Sequence, residues 1–426
     1  MVGQSLSLQK AMKTSFTLST LALSMSLFPL GFLLHGFEPE WNQWRGPTRD
    51  GMIPIDSLWP KNISEDKLRL KWKKSIAKGY PGPVLSKDLV FTVETKGKNE
   101  VVRAFDRKTG EQKWETQWQG SMSVPFFAWK NGSWVRSTPV YDGKNLYVGG
   151  MRDHLVCLDA ESGNRLWSVD FMERYESPLP AFGFVCSPLV MGEHLYAQAG
   201  SGLCKLDKQT GKSEWRILEV KGEKYGSAFS SPTFATIRGV RQMVVQTRTD
   251  LAGIDPKKGK VLWKKPIEAY RGMNILTPAI AGDSVFTSSY GGKSLLFEVE
   301  KKNDGFAVAQ KWENIQEAYM SSPILIGDFC YLHLRKQRMA CLKLKTGETA
   351  WISSESFGKY MSMVSNGKDI LALDEDGTLY LIGANPEQLL IRQKRTISQA
   401  PTWAHLAISG NQLFVRELEA IACYEW

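Results

Sequence analysis

The residues that could carry redox, metal or nucleophilic chemistry are few and scattered. Six cysteines (Cys157, Cys186, Cys204, Cys330, Cys341 and Cys423) include no adjacent pair, no Cys-x-x-Cys and no zinc spacing. Of the five histidines, His35 lies in an apolar N-terminal stretch, and His154, His194, His333 and His405 fall too far apart to read as a catalytic pair. The acidic run Asp374, Glu375, Asp376, Gly377 resembles the opening of a calcium loop, but the remaining alternate-position ligands and the distal Glu are missing. Asp-Gly is a strong hairpin signal, so a turn between two strands is the better account. No catalytic residue and no metal site is expected.

Composition narrows the classes further. Hydrophobic residues at 42% and charged residues at 23% are ordinary for a globular chain, and the 15 Trp are not. The formal charge of +10 includes Lys10 and Lys13, which leaves +8 on the rest. The densest basic cluster is Arg335, Lys336 and Arg338, so no nucleic-acid partner is expected. Lys10 and Lys13 precede an apolar run from Phe16 to Leu34. Residues 1–36 therefore read as a signal peptide or an uncleaved N-terminal anchor, with export to the periplasm or cell envelope and a possible membrane tether. No Cys lies near the end of the run, so a lipid-modified N-terminus is not supported.

One unit recurs along the remainder: Ser/Thr-Pro, an apolar strand, a Gly-Asp or Asp-Gly turn, a second strand, a third ending in Leu-Asp, then Thr-Gly and Trp. It is plainest in "STPVYDGKNLYVGGMRDHLVCLDAESGNRLW" (137–167), and looser copies begin at Pro83, Thr277, Ser362 and Pro401. Each unit holds four short stretches of alternating apolar residues, the pattern of a four-stranded antiparallel sheet. The expected fold is all-β, an eight-bladed β-propeller of four-stranded antiparallel blades spanning 66–426, preceded by a lead-in segment, 37–65. The last blade is closed by the N-terminal strand "LRLKWK" (68–73), which removes the exposed edges of an open array. The 361 residues from Asp66 to Trp426 make eight blades of about 45 each, within the range of propeller repeats.

Trp72, Trp114, Trp167, Trp215, Trp263, Trp312 and Trp351 fall at one place on the outer strand of their blades, where large rings are expected to pack as core. Blade seven has Leu390 or Ile391 at the place expected for Trp. Cys157, Cys341 and Cys423 share a third-strand position that usually holds a small residue, so buried thiols are preferred to a disulfide framework.

This "ALD..TG..LW" unit resembles the repeat of the pyrroloquinoline-quinone (PQQ)-like propellers, a family that includes quinoprotein alcohol dehydrogenases and the outer-membrane assembly factor BamB. The lead-in "WNQWRGPTRDG" (41–51) is similar to the opening of many PQQ-like envelope proteins. The resemblance implies Trp rings docked between blades and, in the enzymes, PQQ with Ca²⁺ beside an Asp base and adjacent cysteines. The missing cysteine pair favours a non-catalytic envelope scaffold with a protein or peptide partner, similar in kind to BamB. A PQQ-dependent oxidoreductase and a carbohydrate- or small-ligand-binding propeller remain as alternatives. No cofactor is expected outside the enzyme alternative.

The inter-blade connections carry the long insertions, notably 116–136, 169–185 and 217–229, and they are rich in aromatic residues. All of them emerge on one face, so a partner-binding face is expected there, with Trp129, Trp134, Arg136, Phe184, Tyr225, Phe229, Arg271 and Tyr319 as candidates. Arg136, Arg271 and Tyr319 each lie within six residues before their blade's inner strand, near the channel mouth.

Overall fold

Alternating apolar positions drive each repeat into a small sheet whose two faces are both covered by neighbouring sheets. In the computed structural model, which describes residues 41–54, 56–220, 228–303 and 305–426, there are eight four-stranded antiparallel sheets. The expected leader or anchor at 1–36 and the candidate Tyr225 lie outside the described residues. Blade one runs Val84–Leu85, Leu89–Lys96, Asn99–Asp106 and Gln112–Gln119 from channel to rim. Blade eight takes Ala407–Ser409, Gln412–Glu417 and Ala420–Glu425 from the C-terminus, and Arg69–Ser75 as its outer strand, with Trp72 opposite Cys423. The ring is closed by pairing the first strand with the last. Among the described residues no helix is long and apolar enough to cross a membrane.

The repeated Trp sits just after a β-bulge of the outer strand, as at Trp114 opposite Ala104 and Trp167 opposite Cys157. The bulge turns the ring out of its own sheet and onto the Thr-Gly turn of the next blade. A Cβ on Gly163 would lie 2.6 Å from the Trp114 ring, and Gly163 has φ +74°, so only glycine suits the site on both counts. The indole N–H then donates to a backbone carbonyl of that turn: Trp72 to Arg107, Trp114 to Ala160, Trp167 to Lys208 and Trp312 to Leu344. Trp72, Trp114, Trp263 and Trp312 are buried, while Trp167, Trp215 and Trp351 are half-buried. Trp263 departs, because blade five has a long hairpin in place of the Thr-Gly turn, and its N–H turns back to Gln242 Oε1 at 2.7 Å.

In blade seven the turn before the outer strand is two residues longer, with Gln393 twelve residues after its partner Leu381 where Trp167 is ten after Cys157, which corrects the expectation of Leu390 or Ile391. Gln393, opposite Leu381, occupies the Trp position, while Ile391 pairs beyond the bulge with Ile382. Gln393 Oε1 accepts the Ile63 N–H at 2.7 Å, so the lead-in fills the place an indole would take. The six cysteines are buried free thiols. Cys157, Cys341 and Cys423 each stand opposite a docked Trp, and burial raises these three thiols to about 12.

The least expected part is the lead-in. Residues 41–53 run through the channel and bond to its wall: Leu85 N to Trp41 O, Tyr141 N to Asn42 O, and Ile53 N to Ser365 O. Arg45 Nη2 donates to Pro323 O at 2.6 Å, and Arg49 donates to Ser187 O and Pro188 O, each at 2.9 Å. The segment thus ties blades one, two, three, six and seven together from inside. Burial lowers the two guanidinium groups to about 10 and about 9, and each uses carbonyls, which carry no formal charge, as acceptors.

Buried carboxylates clip neighbouring blades on the loop-rich side. Glu100 accepts from Met151 N and from Trp118 Nε1, and Asp153 accepts from Gly200 N at 2.8 Å. Burial outweighs these donors and raises both groups to about 7.

Three outcomes are expected. Trp114→Ala should lower stability by about 3–5 kcal/mol in chemical denaturation, the range for a buried large aromatic; a loss under about 1 kcal/mol would refute the docking role. Arg49→Ala should cost about 3 kcal/mol, because it strands two channel carbonyls, and the same denaturation experiment reads it. For Glu100 and Asp153 the folded-state values lie above the unfolded ones, so their contribution is full at low pH and is lost as pH rises through about 7. Thermal melts should therefore fall from about pH 5 to about pH 8, and Glu100→Gln should flatten that fall.

Candidate functional site

Chain direction decides where a site forms. Every inter-blade connection reaches the channel on the same face just before its inner strand, so eight connections converge on one mouth. The mouth holds a cavity of about 690 Å³ whose floor is the lead-in residue Trp44. The third residue before each repeat proline, or before Met363 and Leu406 where they stand in its place, points into this cavity. Those eight are Tyr80, Arg136, Val185, Phe229, Ile275, Met320, Tyr360 and Trp403, and all of them line it.

The residue directly before the proline forms a lower ring. Its hydroxyl accepts the backbone N–H of the neighbouring blade: Gly82 N to Thr138 Oγ1, Thr138 N to Ser187 Oγ, Ser187 N to Ser231 Oγ, and Ser231 N to Thr277 Oγ1, at 2.9–3.1 Å. The proline of the Ser/Thr-Pro pair suits an edge strand, as expected. The hydroxyl beside it has a separate task, which is to join the blades around the channel.

Aromatic rings follow one another around the mouth. Trp134 packs on Tyr80 (5.5 Å between centroids), Tyr80 stacks on Trp403 (4.7 Å, 12° between planes), and Trp403 meets Tyr360 (4.1 Å). Tyr360 stacks on Tyr319, which meets Tyr290, which meets Tyr270. On the other side Phe127, Phe182 and Phe229 continue the wall. Such offset and edge contacts hold the rings in place beyond their area burial. The Asp374–Gly377 run is the blade-seven turn, as expected, and it serves this wall: Trp403 Nε1 donates to Glu375 Oε1 at 2.9 Å.

Of the eight candidates, Arg136, Phe229, Arg271 and Tyr319 line the cavity. Trp134 stands behind Tyr80, with Lys78 Nζ 5.2 Å from its ring. Trp129 lies outside, 66% exposed on the 3₁₀ turn Phe126–Asn131, beside the exposed Phe126 and Phe127. Phe184 is a correction. It is 1% exposed, because the 169–185 connection folds inward and sets this ring over Gly149 and against Phe171. Tyr80, Tyr360 and Trp403 were missed in the sequence. Their signal was the column three before the repeat proline, read across all eight units.

Arg136 is the one charged residue in that column. Its Nη2 donates to Gly132 O at 2.7 Å and its guanidinium lies 5.4 Å from the Tyr80 centroid. Among the described residues it has no ion pair, its Nε has no partner, and desolvation lowers its pKa. Arg248 and Arg271 line the same cavity, and among the described residues no Asp or Glu does. Two serine–histidine contacts, Ser321 with His333 (3.4 Å) and Ser362 with His405 (3.5 Å), are long. Both serine oxygens already accept backbone N–H groups, no carboxylate orients either ring, and burial lowers the imidazoles to about 4 and about 3. They are structural contacts and not a nucleophile with its base.

The cavity does not fit calcium-bound PQQ. A hard cation needs several oxygen donors, carboxylates foremost, and among the described residues the lining has no carboxylate and no cluster of three His, Cys, Asp or Glu is present.

Fold and site together define a PQQ-repeat β-propeller with a plugged channel and an aromatic, cationic mouth. Residues 98–353 match the family described as outer membrane protein assembly factor BamB, and the chain belongs to that family. BamB of Shewanella oneidensis is 23% identical over 299 residues, 66% of this chain and 68% of that one. The quinohemoprotein alcohol dehydrogenase ADH-IIG of Pseudomonas putida is 25% identical over 177 residues, 40% of this chain and only 24% of the enzyme's length. Among solved structures, BamB of Moraxella catarrhalis superposes with a TM-score of 0.60 at 15% identity, covering 84% of this chain and 98% of that one. The likeness to the solved structure is one of fold.

Proposed function

We propose that this chain is a non-catalytic envelope scaffold that engages a polypeptide of the outer-membrane assembly machinery through its loop-rich aromatic face. The observation that carries the reading is the mouth itself, where apolar and aromatic side chains from eight connections converge with arginines and, among the described residues, no carboxylate. Exposed Phe126, Phe127, Trp129, Tyr270 and Ile315 lie on these same connections. Rigid rings and arginines of this kind are what protein interfaces concentrate, whereas acid–base chemistry needs a positioned titratable pair that the mouth lacks. Family membership and the identities to BamB support an assembly role and an envelope location. The expected N-terminal leader or anchor agrees with both.

The test is site-specific photocrosslinking in cells. A crosslinker at Trp129 should give adducts with outer-membrane assembly components, and one at Leu166, exposed on an outer strand, should give few. Equal adducts at the two positions, or none at Trp129, would refute the proposal.

A further inference from the structure

The feature left unused by the fold is a positive charge held in the cavity wall without a counter-ion. Seven of the eight wall residues at the third place before the repeat proline are apolar or aromatic, and the eighth is Arg136. A half-buried guanidinium with one carbonyl acceptor, an unpartnered Nε and no ion pair is an expensive arrangement for stability alone. Among the described residues Arg45 and Arg49 are likewise without ion pairs, but they are fully buried and donate to carbonyls of the channel wall, whereas Arg136 stands at the face of an open cavity. Glu375, which accepts from Trp403 Nε1 and Lys359 N, forms no ion pair with Arg136 and does not line the cavity. Arg248 and Arg271, the latter on an exposed turn, add further cations, so among the described residues the acidic and basic side chains of the lining are all basic.

We infer that the cavity takes an aromatic group bearing a carboxylate, with the carboxylate on Arg136 and the ring among Tyr80, Tyr360 and Trp403. This deepens the partner-binding reading above and rests on it. The guanidinium fork matches a carboxylate in shape as well as charge, and the ring wall supplies the apolar part. Two sources offer this chemistry, the C-terminus of a polypeptide ending in Phe, Tyr or Trp, and a free aromatic acid. A cavity of about 690 Å³ has room for a terminal residue and the one before it. A neutral sugar is a poorer match, because among the described residues Asn131 is the only side-chain amide in a wall otherwise lined by apolar and aromatic side chains, hydroxyls, arginines and His405.

The experiment measures binding of an N-terminally labelled Gly-Ser-Gly-Ser-Thr-Phe peptide to the full chain by fluorescence anisotropy. The peptide is used as the free acid and as the C-terminal amide, with N-acetylphenylalanine as competitor. The acid should bind at least about tenfold more tightly than the amide, and Arg136→Gln should abolish that preference while Arg136→Lys retains part of it. Competition by N-acetylphenylalanine at concentrations similar to the peptide acid would assign the site to free aromatic acids. A peptide better by about tenfold would assign it to chain ends. Thermal melts of Arg136→Gln control for folding, and Arg271→Gln, on an exposed side chain, gives the same readout should the first variant be unstable. Equal binding of acid and amide, or an acid preference untouched in both variants, would overturn the inference. The two proposals fail separately: crosslinking at Trp129 that survives Arg136→Gln, with no acid preference, would leave the scaffold reading standing alone.

Discussion

Everything in this molecule depends on one contact, a tryptophan ring laid on the glycine turn of the next blade. A four-stranded sheet of this size cannot bury both faces by itself, so a blade is stable only against its neighbours. The bulge that turns Trp114 outward, the glycine that leaves room for it at position 163, and the Ala160 carbonyl that receives its N–H form one device. The same device recurs at Trp72, Trp167 and Trp312, and its distortions are informative. Where blade five lacks the turn, Trp263 finds Gln242 instead; where blade seven lacks the ring, Gln393 binds the lead-in.

The lead-in is the second organising element. A ring of eight blades leaves a channel lined by inner edge strands, whose unpaired backbone groups need partners. Residues 41–53 supply them, with Arg45 and Arg49 reaching the carbonyls that the Ser/Thr-Pro turns leave pointing inward. Their guanidinium groups stay cationic at physiological pH even though burial lowers them, because about 9 and about 10 still lie above it. With the channel filled, Trp44 becomes a floor, and the opening on the loop-rich side becomes a closed-bottomed cavity.

That cavity gathers apolar rings and cations above a lower ring of hydroxyls. Its rings brace one another from Trp134 through to Tyr270, serine and threonine hydroxyls of its lower ring accept backbone N–H groups across blades, and burial lowers the His405 imidazole to about 3. What remains available is apolar surface and positive charge. The quinoprotein enzymes that share this repeat show that the fold itself carries no single function; the side chains at the mouth do.

The eight blades, their closure by the strand around Trp72 and the docking tryptophans were legible in the sequence, because repeats and period-2 alternation are local patterns. The turn role of Asp374–Gly377 was legible for the same reason. Blade seven was misread because its last turn is two residues longer and holds no Thr-Gly to count from, so only the pairing of Gln393 with Leu381 shows the place. Phe184 could not be told from Phe229 by type or spacing; only the path of the connection buries one and bares the other. Arg136 and Arg271 were found from proximity to the inner strands, but Tyr80, Tyr360 and Trp403 sit in three different blades and acquire a common purpose only when the ring closes. The sequence by itself determined the blade, because each blade's pattern lies within one repeat. The plugged channel and the cavity above it were decided by tertiary structure alone, since both are made of residues hundreds of positions apart that meet only around a common axis.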